Sequence, residues 1–193
     1  MGKAIVFSKK VIVAFLAAVV LVLAAACSDG RNADMGAAES SGKPGVAAVI
    51  PEGYDCKVET VPVEMSQGEK AELEVTNVDI GRGDATVDVV VGGKSYLEWG
   101  YGMPWRDYVD SSVGGGAAVS WSVSVAAREG TVLVQGTPAF GGETSGDVFV
   151  PIGDDLIWLH VRPSGDVGDQ STMFSEFLRS AEFETFAERL EVE

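Results

Sequence analysis

The segment of residues 119–134 reads VSWSVSVAAREGTVLV. Its apolar residues alternate with Ser120, Ser122 and Ser124, which is the period of a strand that has one buried and one exposed face. Glu129 and Gly130 have the chemistry of a tight turn and precede a second apolar run, TVLV. The segment therefore predicts two adjacent antiparallel strands and a sheet built from hairpins.

Other segments extend this sheet. Residues 71–76, AELEVT, show the same alternation, and Gly92 and Gly93 suit a two-residue hairpin turn between Val91 and Lys94. Residues 156–162, LIWLHVR, predict a further strand that ends at a proline. Along this strand isoleucine, leucine and valine share one face, while tryptophan, histidine and arginine share the other.

The C-terminal region changes to a helical period. Two sets of apolar residues follow the spacing of an amphipathic helix: Phe174, Phe177, Leu178 and Ala181, then Phe183, Phe186, Ala187 and Leu190. The second set begins nine residues after the first, which places it on the opposite face of one straight helix. A break near residues 180–182 is therefore favoured. We expect an α+β domain, an antiparallel sheet covered by a C-terminal helix or broken helix pair; a β-sandwich with a terminal helix is the alternative.

The N-terminal segment has the order of an export signal. Lys3, Lys9 and Lys10 precede an apolar run from Val11 to Leu23, and small residues follow. The apolar run extended to Ala26 covers 16 residues, whereas a bilayer-spanning helix needs roughly 20. Residues 1–26 are therefore predicted to be a cleaved signal peptide rather than a membrane span.

The residues around Cys27 carry a resemblance to a known class of proteins. The sequence LVLAAAC, residues 21–27, resembles the lipobox of bacterial lipoproteins, although Ala24 stands three residues before the cysteine where leucine is usual. The resemblance implies that Cys27 receives diacylglycerol and anchors the chain at the outer face of the cell membrane. Ordinary cleavage after Ala26 would instead release a soluble secreted protein, in which Cys27 and Cys56 are available to form a disulfide.

The composition after Cys27 divides the remaining chain. Residues 27–49 are small and polar, so they are predicted to form a flexible tether, and residues 50–193 are predicted to form a single globular domain. Three of the 14 basic residues and none of the 29 acidic ones precede Cys27, which leaves the mature chain a formal charge of −18. Such a chain repels nucleic-acid phosphates, so nucleic acid is excluded as a partner.

An aromatic segment is the first candidate for a ligand-binding site. Five of the eight tyrosine and tryptophan residues occur within 13 positions: Tyr96, Trp99, Tyr101, Trp105 and Tyr108. Aromatic rings on a glycine-containing loop suit glycans, peptides or a protein partner. The alternative interpretation is that the rings fold inward and cap one end of the sheet.

The polar face of the strand at residues 156–162 is the second candidate. It carries Trp158, His160 and Arg162, and His160 is the only histidine of the chain. A single histidine and two cysteines do not assemble a usual zinc site, and no cofactor motif is present.

These observations favour a membrane-anchored extracytoplasmic lipoprotein with a non-catalytic binding domain. A cell-envelope hydrolase that uses carboxylates is the alternative, which would need two acids roughly 5 to 10 Å apart in a cleft. A structural envelope lipoprotein without a ligand is a third.

Overall fold

The structure is a computed structural model that describes residues 47–64, 70–136, 144–165 and 168–192. The predicted signal peptide, Cys27 and all of the predicted tether up to residue 46 lie outside these residues.

The described residues form nine strands and four helices. The strands are β1 Ala48–Val49, β2 Asp55–Glu64, β3 Lys70–Asp79, β4 Ala85–Val91, β5 Ala118–Val125, β6 Arg128–Gln135, β7 Ser145–Ile152, β8 Asp155–Pro163 and β9 Glu191–Val192. The helices are α1 Lys94–Tyr101, α2 Trp105–Gly114, α3 Gln170–Phe177 and α4 Ala181–Arg189. None of these helices combines the length and the apolar character that crossing a membrane requires.

Seven strands form one open antiparallel sheet in the order β2-β3-β4-β8-β7-β6-β5, and β1 pairs with β9 beside it. Every neighbouring pair in the large sheet is antiparallel. The α+β prediction is therefore confirmed. The alternative of a β-sandwich is wrong, because helices rather than a second large sheet cover the faces of this one.

The predicted break between the C-terminal helices is confirmed. The hydroxyl of Ser180 accepts a hydrogen bond from the backbone N–H of Phe183 at 3.2 Å and so caps the start of α4. Asp169 caps α3 in the same way through Thr172. Because the chain turns at Ser180, the phenylalanines of both apolar sets face the sheet, and Phe177, Phe183 and Phe186 are all completely buried. Ala181 of the first set is exposed, because it lies at the start of α4 beyond the turn.

The hairpin of residues 119–134 is confirmed, but its predicted turn is wrong by three residues. The turn is formed by Ala126 and Ala127, which have φ angles of 51° and 57°. Gly130 instead lies within β6, where an added Cβ would come within 3.2 Å of a methyl group of Val148. The glycine therefore serves close packing, and pairing of β5 with β6 overrides the local preference for a turn at this position.

The predicted hairpin turn at Gly92 and Gly93 is also wrong. Strand β4 ends at Val91 and α1 begins at Lys94, whose backbone N–H donates to the carboxylate of Asp155 at 3.2 Å. The free side of β4 is occupied by β8, which comes much later in the chain. A distant strand thus replaces the local hairpin partner.

The two faces of the sheet are covered differently. Helices α3 and α4 pack on one face over the main apolar core, which includes Ile157, Leu159 and Val161 of β8. Helices α1 and α2 cover part of the opposite face with a smaller cluster that includes Leu97, Trp105 and Phe149. The second face continues beyond these helices, and there its side chains are polar.

Candidate functional site

The aromatic segment of residues 96–108 does not form the predicted loop. It is folded into α1 and the start of α2, because the rings bury more apolar surface against the sheet than they would in an extended loop. The side chain of Trp105 is only 5% exposed, and its ring stacks on Phe149 at 5.4 Å. Trp105 is therefore part of the core, and its ring does not face a ligand.

The other aromatic candidates of this segment are half-buried. Tyr101 and Tyr108 stack with their ring centroids 3.6 Å apart, and the amide of Gln135 donates to the hydroxyl of Tyr108. Burial raises the pKa of Tyr101, and the nearby Asp147 carboxylate adds to this effect. Tyr96 and Trp99 lie side by side at 6.1 Å. These four rings lie beside the polar part of the sheet.

The second candidate set is brought together as predicted. Trp158, His160 and Arg162 lie on one face of β8, opposite the face that packs on α3 and α4. In the sheet register, His160 stands directly between Asp88 of β4 and Asp147 of β7. The sheet therefore places two carboxylates beside the only histidine.

Asp147 is the centre of a hydrogen-bond cluster. Its carboxylate is 4% exposed and accepts hydrogen bonds from three side chains. Trp158 Nε1 and His160 Nδ1 each lie 2.8 Å from Oδ1, and Ser145 Oγ lies 2.7 Å from Oδ2. These bonds replace the water that the buried carboxylate has lost.

The pKa values of this pair shift in opposite directions. Burial alone would raise the pKa of Asp147, but the charge of His160 and the three hydrogen bonds outweigh it, so the pKa is lowered. Burial alone would lower the pKa of His160, but the Asp147 carboxylate outweighs it, so the pKa is raised above 6.5. The pair therefore favours the carboxylate and the imidazolium.

Asp88 holds a second cluster on the other side of His160. Its carboxylate is buried, and its Oδ2 accepts from Nε of Arg162 at 3.0 Å and also from Nη2. The amide of Asn77 donates to Oδ1 at 2.7 Å and to the hydroxyl of Thr86 at 2.8 Å. Arg162 is thus held from one side only, since its Nη1 forms no hydrogen bond with any described residue.

The solvent side of this surface presents hydrogen-bond donors. We call it the polar platform and define it as Asn77, Asp88, Asp147, His160 and Arg162. His160 Nε2 forms no hydrogen bond with a described residue. Every buried side-chain nitrogen or oxygen in the described ranges does have a hydrogen-bond partner, so Nε2 is not buried and reaches the surface. The side chains of His160 and Arg162 are 29% and 43% exposed.

A cleft with a volume of about 560 Å³ lies between the start of β5 and α3 and does not contain the pair of carboxylates that the hydrolase alternative needs. Of the described residues that line it, Glu176 is the only acid. Asp88 and Asp147 are two strands apart, about 10 Å across the sheet. The pKa of Asp147 is lowered, whereas the general acid of a glycosidase needs a raised one.

Other reactive groups add little to the site. No group of three or more His, Cys, Asp or Glu side chains that could hold a metal ion occurs in the part of the chain that the structure describes.

Cys56 is half-buried in β2 and packs against the main core. Whether Cys56 pairs with Cys27 stays a prediction, because Cys27 lies outside the described residues.

The sequence reasoning missed the two buried aspartates. Asp88 interrupts the apolar strand ATVDVVV, and Asp147 precedes the apolar run VFVPI. A lone acid inside a buried strand was the available signal, because such a charge needs a partner. The partners themselves come from other strands and are not visible in the local sequence.

Comparison of the chain with protein-family models, with curated proteins and with solved structures gave no match.

Proposed function

We propose that this chain is a lipoprotein anchored through Cys27 to the outer face of the cell membrane, whose domain binds a ligand on the polar platform. The signal-like N-terminus, the lipobox-like LVLAAAC and the tether composition support the anchor. The strongly acidic domain stays in solution above an anionic surface and does not adsorb on it.

The observation that carries the binding proposal is the orientation of Arg162 and His160. Each of these side chains is held from behind by a buried carboxylate, and each has an unbonded nitrogen at the surface. The two residues are two positions apart on one strand, so their side chains leave the sheet on the same face. Holding both donors in place before binding lowers the entropy cost of recognition.

The ligand that fits this arrangement carries oxygen acceptors, and a carboxylate is the simplest. Arg162 Nη1 and the imidazolium Nε2 both donate, and an arginine binds a carboxylate strongly. Trp158, Tyr96 and Trp99 offer partly exposed rings at the border of the platform. Those rings suit the apolar part of the same ligand.

Binding can be tested with sodium acetate as the probe. Because His160 is the only histidine, its imidazole NMR signals report on the platform without overlap. We expect saturating acetate-dependent shifts at about pH 6, and no such shifts with equimolar sodium chloride or the neutral sugar methyl glucoside. The Arg162→Gln variant should lose the acetate response, whereas Arg128→Gln, at an exposed position in the β5–β6 hairpin, should keep it. Equal responses to acetate and chloride would contradict the proposed ligand chemistry.

The anchor requires a separate experiment. Mass spectrometry of the native chain should find residue 27 at the N-terminus with acyl chains attached, and Cys27→Ser should release the protein from the membrane fraction. An unmodified thiol at position 27 would indicate the soluble secreted alternative. Retention of Met1 would contradict cleavage of the signal.

A further inference from the structure

Strand β5 is one of the two edges of the large sheet, and its outer side has backbone groups to which no described residue bonds. The N–H of Gly136 donates to the carbonyl of Ala117 at 2.9 Å, and the register continues from there without interruption to the pair Val125 and Arg128. Antiparallel pairing alternates, so the odd-numbered residues bond to β6. The even-numbered residues direct N–H and C=O groups outward: Ala118, Ser120, Ser122 and Ser124. No described backbone group outside the sheet bonds to them.

The composition of β5 does not protect this edge. Its sequence, AVSWSVSV, contains neither a charged residue nor a proline, and its pairing with β6 contains no bulge. The opposite edge, β2, carries several charges and Pro62 within DCKVETVPVE. Exposed sheet edges usually carry such features because they prevent pairing with another chain. The two edges of this sheet therefore differ in whether they permit a further strand.

Apolar surface continues up to the same edge. Val119 is 53% exposed, and the cleft between β5 and α3 begins beside it. A strand added to β5 would extend the sheet over this side and cover Val119. Burial of apolar surface would then add to the hydrogen bonds of the new ladder.

We propose that β5 pairs in antiparallel orientation with β5 of a second copy of this chain, which joins the two seven-stranded sheets into one. The sequence of β5 selects this partner. It is symmetric about Trp121, because Val-Ser precedes this residue and Ser-Val follows it, so the strand can pair with a copy of itself with similar residues opposed. Each copy carries a strong negative charge, which opposes association elsewhere on the surface, but β5 itself contains no charged residue.

The geometry of β5 is self-complementary. In one register, Trp121 of one copy lies opposite Trp121 of the other. Ala118 of each copy then lies opposite Ser124 of the other, and Ser120 lies opposite Ser122. All four outward-facing residues of each copy then pair, and they exchange about eight hydrogen bonds. Val119 comes to lie near Val123 of the second copy, on the side of the cleft. A two-fold axis relates the copies, which gives a closed dimer.

Replacement of Ser122 by proline tests the proposal. Proline lacks the N–H that points outward at this position, so the backbone bonds to β6 are kept while the new ladder is broken. Within the chain, only the exposed hydrogen bond from the Ser122 hydroxyl to Glu129 is lost. The matched control is Ser122→Thr, which keeps the N–H and has good strand propensity. Sedimentation equilibrium of the full chain in density-matched detergent gives the mass across a hundredfold range of concentration.

The wild type and Ser122→Thr should reach twice the mass of one chain at high concentration. Ser122→Pro should keep the mass of one chain and the wild-type circular dichroism spectrum. The proposal is overturned if the wild type has the mass of one chain at every concentration, as it would if the chain before residue 47 covered β5. It is also overturned if the folded proline variant is a dimer.

A second measurement holds even if the proline variant does not fold. In a Cys56→Ser background, chains with Ser120→Cys and chains with Ser122→Cys are mixed and oxidised. Opposed residues in the proposed register have Cα atoms about 5.5 Å apart, within reach of a disulfide, whereas either variant alone places its cysteines beyond about 7 Å. Disulfides should therefore form chiefly in the mixture. Equal yields in the mixture and in the separate variants would overturn this register.

Discussion

The carboxylate of Asp147 sets both the charge and the position of the only histidine, and Asp147→Asn tests this. The amide keeps an oxygen for Trp158 Nε1 and His160 Nδ1, while the Ser145 hydroxyl can turn and accept from the new NH₂ group. The substitution therefore removes the charge and leaves the hydrogen-bond geometry in place. Its effect isolates the electrostatic contribution of the pair.

The size of the effect follows from the bonds at this carboxylate. A hydrogen bond to a charged group contributes about 1.5–3 kcal/mol and a neutral one about 0.5–1.5, a difference of about 1–1.5 per bond, so three weakened bonds cost about 3–4.5 kcal/mol. This cost applies where His160 is protonated. At alkaline pH the imidazole is neutral in both proteins, so the attraction between the two charges is absent and we expect a smaller loss, although Trp158 and Ser145 still donate to a charged carboxylate in the wild type.

The pH dependence should change sign. In the wild type the pKa of His160 is raised by Asp147 in the folded state, so the added stability is present below the unfolded value of 6.5 and is lost as the pH rises through the folded value. Without the Asp147 charge, burial dominates and lowers this pKa. The variant should then lose stability as the pH falls through 6.5.

Two measurements check the prediction. NMR titration of the sole imidazole compares the folded pKa of His160 in the two proteins, and urea unfolding at about pH 5.5 and about pH 9 compares their free energies of unfolding. An unchanged pKa of His160 in Asp147→Asn would refute the electrostatic account. The His160→Gln variant measures how the other groups contribute to the pH dependence, and this contribution is subtracted from the wild-type values. If the remaining wild-type stability rises from about pH 5.5 to about pH 9, the electrostatic account is refuted as well.

Three further substitutions test the packing, each by urea unfolding. Gly146→Ala should destabilise the protein by about 1–3 kcal/mol, because the new Cβ would lie 2.9 Å from an α3 phenylalanine, whereas Gly100→Ala, with open space around it, should be neutral or stabilising. Ala127→Gly should stabilise by about 0.5–1 kcal/mol, since it relieves a positive φ of 57°; a loss would contradict the assigned turn. Trp105→Ala should cost about 3–5 kcal/mol and Trp99→Ala much less, and similar losses would contradict their different burial.

Local patterns in the sequence predicted several strands and the two C-terminal helices, whereas they did not predict α1 and α2. The alternation in residues 119–125 and 156–162 identified β5 and β8, and the offset between Phe174 and Phe183 predicted the break at Ser180. These predictions succeeded because the period of side chains along a strand or helix is a property of neighbouring residues. The turn at Gly92 failed because strand β8, not the next segment, pairs with β4.

The candidate site was predicted in part for the same reason. Trp158, His160 and Arg162 share a face because they lie on one strand, which their spacing alone indicates. Their partners Asp88 and Asp147 lie 72 and 13 residues before His160, and only the register of β4, β7 and β8 brings them beside it. The sequence of the aromatic segment around Trp105 was compatible with an inward-folded cap and with a binding loop, and local spacing does not decide between them.

The sequence by itself determined the strands around residues 119–125 and 156–162 with their apolar faces, the break between the C-terminal helices, and the strongly acidic charge, because these follow from residue type and periodicity along the chain. Only the tertiary structure decided that Trp105 is core, that buried carboxylates hold His160 and Arg162, and that β5 forms an edge of the sheet which no described strand covers. Those features depend on the order of strands in the sheet, and that order is set by burial summed over contacts between residues far apart in the chain.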